Sequence, residues 1–357
     1  MKKMGDINSC NIQKLENLLA ESLNPVITTH MKPDGDAIGS CTALYHFLLS
    51  AYGKRSRIVL NDRYPGYLDF LASSVGKGDI IIYEEDKEKA ASALSGSDLI
   101  FCLDFNAFHR TDNLEHLLEE AEAPKILIDH HLNPAREKFS LSFSETGISS
   151  ASELLFHILM ATSHIAGDAS RLPASAVMAL MTGMTTDTNN FANSVYPSTL
   201  EMASALLSAG ADRDYILDRI YNQYRENRLR LMGHMMKDLL RITDDGVAYI
   251  VLDSRTQEEY DVEEGDTEGF VNMPLSIAGV RMSLLLKEAS GHFRVSIRSK
   301  KGTSANRCAM LHFNGGGHEN AAGGRLRIPE DIASPDKAAE YIERHTHLYL
   351  TENEKDI

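Results

Sequence analysis

Short apolar runs alternate with helical patterns through the first 150 residues. Val26–Thr29 is a β-rich run after Asn24-Pro25, and Arg57–Leu60, Asp79–Tyr83, Leu99–Leu103 and Lys125–Ile128 repeat the theme. Between them Asp36–Ser50, Asp86–Leu94 and Asp112–Ala121 read as helices, the first stopped by Gly53. The apolar runs do not alternate with polar residues, which predicts strands covered on both faces. Strands separated by helices predict βαβ units and a mostly parallel sheet, so the fold class is α/β.

From Ser150 the pattern turns to helix after helix. Ala151–Ala161, Ala174–Met184, Ser198–Ala209, Asp214–Tyr224 and Asn227–Arg241 all carry apolar residues at helical spacing. Strand-like runs return at Val247–Leu252, Ser276–Leu286 and His292–Arg298, the last two joined by the turn Ser290-Gly291. This divides the chain into 1–195, a helical linker 196–242 and a smaller α+β domain 243–350. The acidic stretch Glu258–Glu268 is expected to be a solvated loop or helix face. Met232, Met235 and Met236, at helical spacing, are expected to serve packing.

Composition narrows the partners. The 357 residues hold 36 basic and 51 acidic side chains, a net charge of −15. Such a chain is a poor binder of long duplex nucleic acid, which needs clustered cations to displace counterions. It can bind a short phosphate-bearing ligand where metals or local cations offset the repulsion. No apolar run is long enough to span a membrane, and the start of the chain has no signal-peptide h-region. Cys10, Cys41, Cys102 and Cys308 lie far apart without CxxC spacing, as free thiols of a cytoplasmic protein do.

The chemistry is sought beyond the carboxyl ends of the strands, where open parallel sheets place their ligands. The first strand runs into His30-Met31-Lys32-Pro33-Asp34-Gly35-Asp36, the fourth into Asp104, and the fifth into Asp129-His130-His131. Later Thr185-Thr186-Asp187 adds another carboxylate. Each alone has a structural explanation; Asp36, for instance, is well placed as an N-cap. Their coincidence at one rim points to metal. Imidazoles with several carboxylates suit a divalent transition ion, Mn²⁺ best, with Fe²⁺, Co²⁺ or Zn²⁺ also compatible. Two His with four Asp are too many for one catalytic ion. They suit two ions about 3.5–4 Å apart that share a carboxylate, which predicts phosphate hydrolysis by an activated hydroxide.

A second cluster, Phe313 to Gly324, contains Gly315, Gly316, Gly317 and His318. Glycines let backbone N–H groups approach an anion, and His318 adds a donor. With Ser296-Ile297-Arg298-Ser299-Lys300-Lys301 just upstream, it forms a candidate phosphate cradle. There is no GxxxxGK[ST], GxSxG, HExxH or early GxGxxG.

These residues resemble the DHH phosphoesterase superfamily with a C-terminal DHHA1 domain, closest to the nanoRNases that also act on 3′-phosphoadenosine 5′-phosphate (pAp). The resemblance spans roughly residues 20 to 330. It rests on HMKPDGDAIGS (30–40), Asp104 with Arg110, Asp129-His130-His131, GMTTDTNNF (183–191) and GGGHENAAGG (315–324). It implies a DHH catalytic domain over 1–195 and a DHHA1 substrate-binding domain over 243–350. His30 and Asp34 would hold one cation; Asp36, His130 and Asp187 the other; Asp104 would bridge them. Asp129 would orient a ligand, and His131 would contact the scissile phosphate. Arg298, Ser299, the glycines and His318 would hold the rest of the substrate. The implied substrates are short RNA, linear dinucleotides such as pApA, and pAp; a homodimer also comes into view. An exopolyphosphatase or inorganic pyrophosphatase on the same core is the alternative activity, and a catalytically idle nucleotide sensor the non-enzymatic one. Family members usually carry Gly where Asn189 and Asn314 stand.

Overall fold

A helix over Ser9–Glu21 (α1) opens the chain, which the computed structural model describes over residues 5–353. The chain forms two units, Met1–Gln223 and Tyr224–Ile357. In the first, strands Pro25–Thr28 (β1), Arg57–Leu60 (β2) and Ile80–Ile82 (β3) are separated by Gly35–Tyr52 (α2) and Asp69–Ala72 (α3). Lys87–Ser95 (α4), Leu99–Leu103 (β4), Glu115–Glu120 (α5), Lys125–Asp129 (β5) and Leu141–Ser144 (β6) follow. The six strands are all parallel, in the order β3-β2-β1-β4-β5-β6. Alternate residues feed opposite faces: Ile27, Ile58, Phe101 and Ile126 enter one apolar layer, and Val26, Val59, Ile100 and Leu127 the other. In β1, β4 and β5 every residue is buried, which is why they read as unbroken apolar runs, whereas the edge strand β6, Leu-Ser-Phe-Ser, alternates in burial and was not read from the sequence.

Helices Ala151–Ala161 (α6) and Ala174–Asp187 (α7) cover one face beside α2, and Pro197–Ser208 (α8) and Arg213–Tyr221 (α9) follow. Met202, Leu206, Ile216 and Ile220 from α8 and α9 join the same core as α2, α6 and α7. The predicted linker segment is therefore shared: its first two helices belong to the first unit's core, and Leu231 and Met235 to the second's.

The second unit begins with Glu226–His234 (α10), which passes into a π-turn over Met235–Leu239 instead of continuing helically to Arg241. Arg241–Ile242 (β7), Val247–Leu252 (β8), Ser254–Glu259 (α11), Met282–Ala289 (β9) and His292–Ser299 (β10) come next. Ala305–His312 (α12), Gly316–His318 (β11), Ala321–Arg327 (β12) and Ala338–Asn353 (α13) complete it. The sheet order is β11-β12-β10-β9-β8-β7, antiparallel except for β8 with β9. The apolar run from Ser276 is not strand at its start. Phe270–Ser276 is a 3₁₀ segment whose Phe270 and Val271 pack with Leu231, Met235, Ile250 and Leu285 over one sheet face. Met232 and Met236 pack against the same cluster. The acidic loop after α11 is solvated and braced by Arg225, whose guanidinium pairs with Asp261, Glu263 and Asp266. No disulfide forms; Cys10 is exposed and the other three thiols are buried. Among the described residues no helix is long and apolar enough to cross a membrane.

Candidate metal centre

The strand order reverses between β1 and β4, and such a reversal opens a crevice beyond the strands' carboxyl ends. The β1 loop enters there with His30, the end of β4 with Asp104, and the end of β5 with Asp129-His130-His131. The backbone joins these loops: Met31 N–H donates to Arg110 O at 2.8 Å, and Asp104 N–H to Ile128 O at 3.0 Å. Asp104 itself takes a left-handed φ of 62°, a conformation Asp tolerates better than most residues.

Helix α2 is capped by Asp34, not Asp36: Asp34 Oδ1 accepts from the amides of Asp36 (3.0 Å) and Ala37 (3.1 Å). Asp36 lies inside the first turn, buried. Its two oxygens accept from Ala151 N at 2.6 Å and Ser152 N at 2.9 Å, the first amides of α6. A helix N-terminus favours an anion through these unpaired N–H groups. This grip was missed from sequence, although Ser150-Ala151-Ser152-Glu153 carries the capping pattern that marks the start of α6.

The six candidate ligands converge. His30, Asp34 and Asp104 form one group, and Asp36, His130 and Asp187 another, each with ligand atoms within 4.8 Å of one another. Asp104 lies between them. Its Oδ2 is 3.5 Å from His30 Nε2 and its Oδ1 is 3.4 Å from His130 Nε2. His130 Nε2 is also 3.5 Å from Asp187 Oδ2. Met31 O sits 2.8 Å from His30 Nδ1, so Nδ1 donates and Nε2 is the ring atom turned toward Asp104. Asp187 is the last helical residue of α7, so the apolar helix reaches further than its pattern predicted. Beyond it Asn189, Asn190 and Phe191 all take positive φ (46°, 56° and 67°). Asn189 thus meets a left-handed requirement that Gly would meet without strain.

Asp129 stands behind the group, fully buried. Its Oδ1 lies 2.7 Å from His131 Nδ1, and its Oδ2 accepts from His131 N at 3.1 Å. This fixes the His131 ring and places the neutral ring's lone pair on Nε2.

The electrostatics fit divalent cations. Burial alone would lower the two imidazoles, but Asp104 outweighs it and pushes His30 up to about 9 and His130 up to about 10. Burial raises Asp104 as well, yet those imidazoles hold it below the ordinary carboxylate range. Asp36 is pushed up to about 7 by burial and then by Asp104, and Asp187 is raised by burial and by Asp36. Of these crowded carboxylates, Asp36 and Asp187 are pushed toward the protonated form, a strain that a bound cation relieves. Asp104 Oδ1 is buried and makes no close hydrogen bond; His130 Nε2 stands 3.4 Å away, and a cation held between the two would satisfy both. Separations of 3.4–3.5 Å between donor atoms suit ligands sharing one ion with bonds of about 2.0–2.2 Å. The donor set, two imidazoles with four carboxylates, matches a transition ion.

The remaining candidates lie in the second unit. Arg298 and His318 are each register partners of Ala321, one on either side. Arg298 Nη1 donates to Ile297 O at 3.0 Å. The Ser299 hydroxyl donates to Thr303 O at 2.6 Å and accepts from Asn320 Nδ2 at 3.0 Å, so it tightens its own turn. The glycines allow close backbone packing. A Cβ on Gly315 would stand 1.9 Å from Gly323 O. The amides of Gly315 and Gly317 already donate, to Ala309 O (3.2 Å) and Asn306 Oδ1 (2.8 Å). Gly316 pairs with Gly323 across β11 and β12. Asn314, like Asn189, has a positive φ, 47°, and its side chain donates to Arg325 O and Asp331.

The family model described as "DHH family, N-terminal domain" matches residues 24–184, and the DHHA1 domain model matches 244–343. The bifunctional oligoribonuclease and PAP phosphatase NrnA of Thermus thermophilus is 30% identical over 327 residues, covering 87% of this chain and 88% of that protein. The chain belongs to the DHH family. Another relative of this DHH protein is the probable bifunctional oligoribonuclease and PAP phosphatase NrnA of Streptococcus mutans. It is 28% identical over 315 residues, 86% of this chain and 92% of its own. Among solved structures, an exopolyphosphatase-related protein from Bacteroides fragilis superposes with a TM-score of 0.89 at 35% identity. That match covers 97% of this chain and 98% of the other.

Proposed function

We propose that this DHH-family chain is a cytoplasmic phosphoesterase, dependent on two divalent cations, that hydrolyses short oligonucleotides, linear dinucleotides such as pApA, and pAp. Mn²⁺ is the proposed ion. The observation that carries the reading is Asp104, whose two carboxylate oxygens each face a different imidazole. On this reading His30 and Asp34 hold one cation, and Asp36, His130 and Asp187 the other, with Asp104 shared. When bound, such a pair acidifies a water molecule and offsets charge on a phosphoryl group. The chain's own residues do the rest. The α6 amides keep Asp36 aimed inward, and Asp129 locks His131 so that its ring meets charge developing on the scissile phosphate. Arg298 and His318 take the substrate's other phosphate. The names of the Thermus and Streptococcus relatives support the substrate class.

A second reading has one observation in its favour: the Bacteroides protein, similar over nearly the whole chain, is described as exopolyphosphatase-related. A panel decides between them. Purified chain with defined Mn²⁺ is expected to release AMP from pApA and phosphate from pAp, and to lose both activities on chelation. Polyphosphate or pyrophosphate as the best substrate would overturn the nucleotide assignment. No turnover of any phosphoester would overturn the enzyme reading.

A further inference from the structure

Strand pairing in the second sheet aligns Lys287 of β9, Arg294 of β10 and Arg325 of β12 in one row. Another row sets Arg298 of β10, Ala321 of β12 and His318 of β11 side by side. Paired residues project from the same face, and so do residues two apart along a strand. Both rows therefore share a face. It is opposite the face where Phe293, Val295 and Ile297 are buried in the apolar core. Between the rows lie Ser296, Gly323 and Gly316, which add little bulk, while Leu285, next in that row on β9, is covered by Phe270 and Val271. Arg294, Arg325 and His318 are exposed, and Arg298 is half-buried.

Like charges in register on strands about 4.8 Å apart repel. This row gathers three cations in a chain with 51 acidic and 36 basic residues. Arg294 meets Glu264 at 3.1 Å in an exposed pair, a weak interaction that an anion can replace. Lys287 and Arg325 make no ion pair among the described residues. The rows are four residues apart along β10, about 13 Å. A single nucleotide held at Arg298 and His318 leaves the outer row empty, whereas a longer chain crosses the glycine floor and reaches it.

We propose that Arg325, Arg294 and Lys287 form an outer phosphate subsite that takes a phosphodiester group of a single-stranded oligonucleotide, beyond the nucleotide at Arg298 and His318. The subsite makes binding depend on chain length. It rests on the phosphoesterase reading only for the identity of its ligand.

The test compares full-length wild type, Arg294→Gln/Arg325→Gln and Glu264→Gln. Binding of a dye-labelled, 5′-phosphorylated tetra-adenylate and of pAp is measured in chelator, so that nothing is hydrolysed. The double variant is expected to bind the tetranucleotide roughly 10-fold or more weakly. Its salt dependence should flatten by about 0.7 in log–log slope for each phosphate no longer neutralised by a side chain. Binding of pAp should not change, and Glu264→Gln should tighten the tetranucleotide. Unchanged tetranucleotide binding would overturn the proposal, as would an equal loss for pAp. Linear tetrapolyphosphate competing as well as the tetranucleotide, and weakening as much in the double variant, would overturn the nucleotide chain as occupant. A protein that hydrolyses nothing yet shows the length-dependent loss keeps the subsite and sinks only the activity.

Discussion

Replacing Asp104 by Ala or Asn is expected to lower kcat for pApA by at least ~10³, because on the proposed reading both cations lose their shared ligand at once. Asn keeps the shape of the side chain but removes the negative charge, so a loss of similar size in both variants assigns the effect to charge and not to volume. Two neighbouring carboxylates are already engaged elsewhere. Asp34 is committed through Oδ1 to capping α2, and Asp36 to the first amides of α6. Steady-state kinetics at saturating Mn²⁺ checks this, with near-normal turnover by either variant refuting the bridging role.

Gly183→Ala produces the second-largest effect, although Gly183 touches no candidate ligand of the first group. It lies where α7 crosses α2. A Cβ there would stand 2.8 Å from Asp36 Oδ1 and 2.9 Å from Ser152 Cβ. On the facing helix, a Cβ at Gly39 would stand 2.7 Å from Ala179 O and 2.9 Å from Gly183 N. The two glycines let the helices touch through their backbones, and that close approach brings Asp36 and Asp187 into one group. An added methyl must push α7 away or turn Asp36 off its amides. Overpacking of this kind costs about 1–3 kcal/mol of stability. Displacing a ligand by about 1 Å costs roughly 10²-fold in turnover. Urea denaturation and kcat measured together check both effects. A variant with wild-type midpoint and wild-type turnover contradicts this account of the crossing.

Much of the candidate site was legible because its candidate ligands follow strands at short, fixed offsets. His30 comes two residues after β1, Asp104 directly after β4, and Asp129-His130-His131 at the end of β5. Unbroken apolar runs located those strands, and sheet topology did the rest. Choosing the cap of α2 was harder, since Asp34 and Asp36 have the same chemistry and only the backbone separates them. The α6 grip on Asp36 joins residues more than a hundred positions apart, and no local pattern records such an interaction. In the second sheet β8, β9 and β10 were legible as apolar runs, whereas β11 and β12 were hidden for another reason. Strand β12 reads Ala-Ala-Gly-Gly-Arg-Leu-Arg, a composition with little strand preference, and its partners β10 and β11 impose its conformation. The apolar segment before β9 misled because 3₁₀ packing and a strand present similar short runs.

The central claim is that Asp104 joins two cation sites into one centre. Crystals of the wild-type chain grown with Mn²⁺ test it directly, by anomalous diffraction at the manganese edge. The account predicts two peaks, one among His30, Asp34 and Asp104 and one among Asp36, His130 and Asp187, with one Asp104 oxygen on each. A single peak, or two peaks with Asp104 bound to neither, would contradict it.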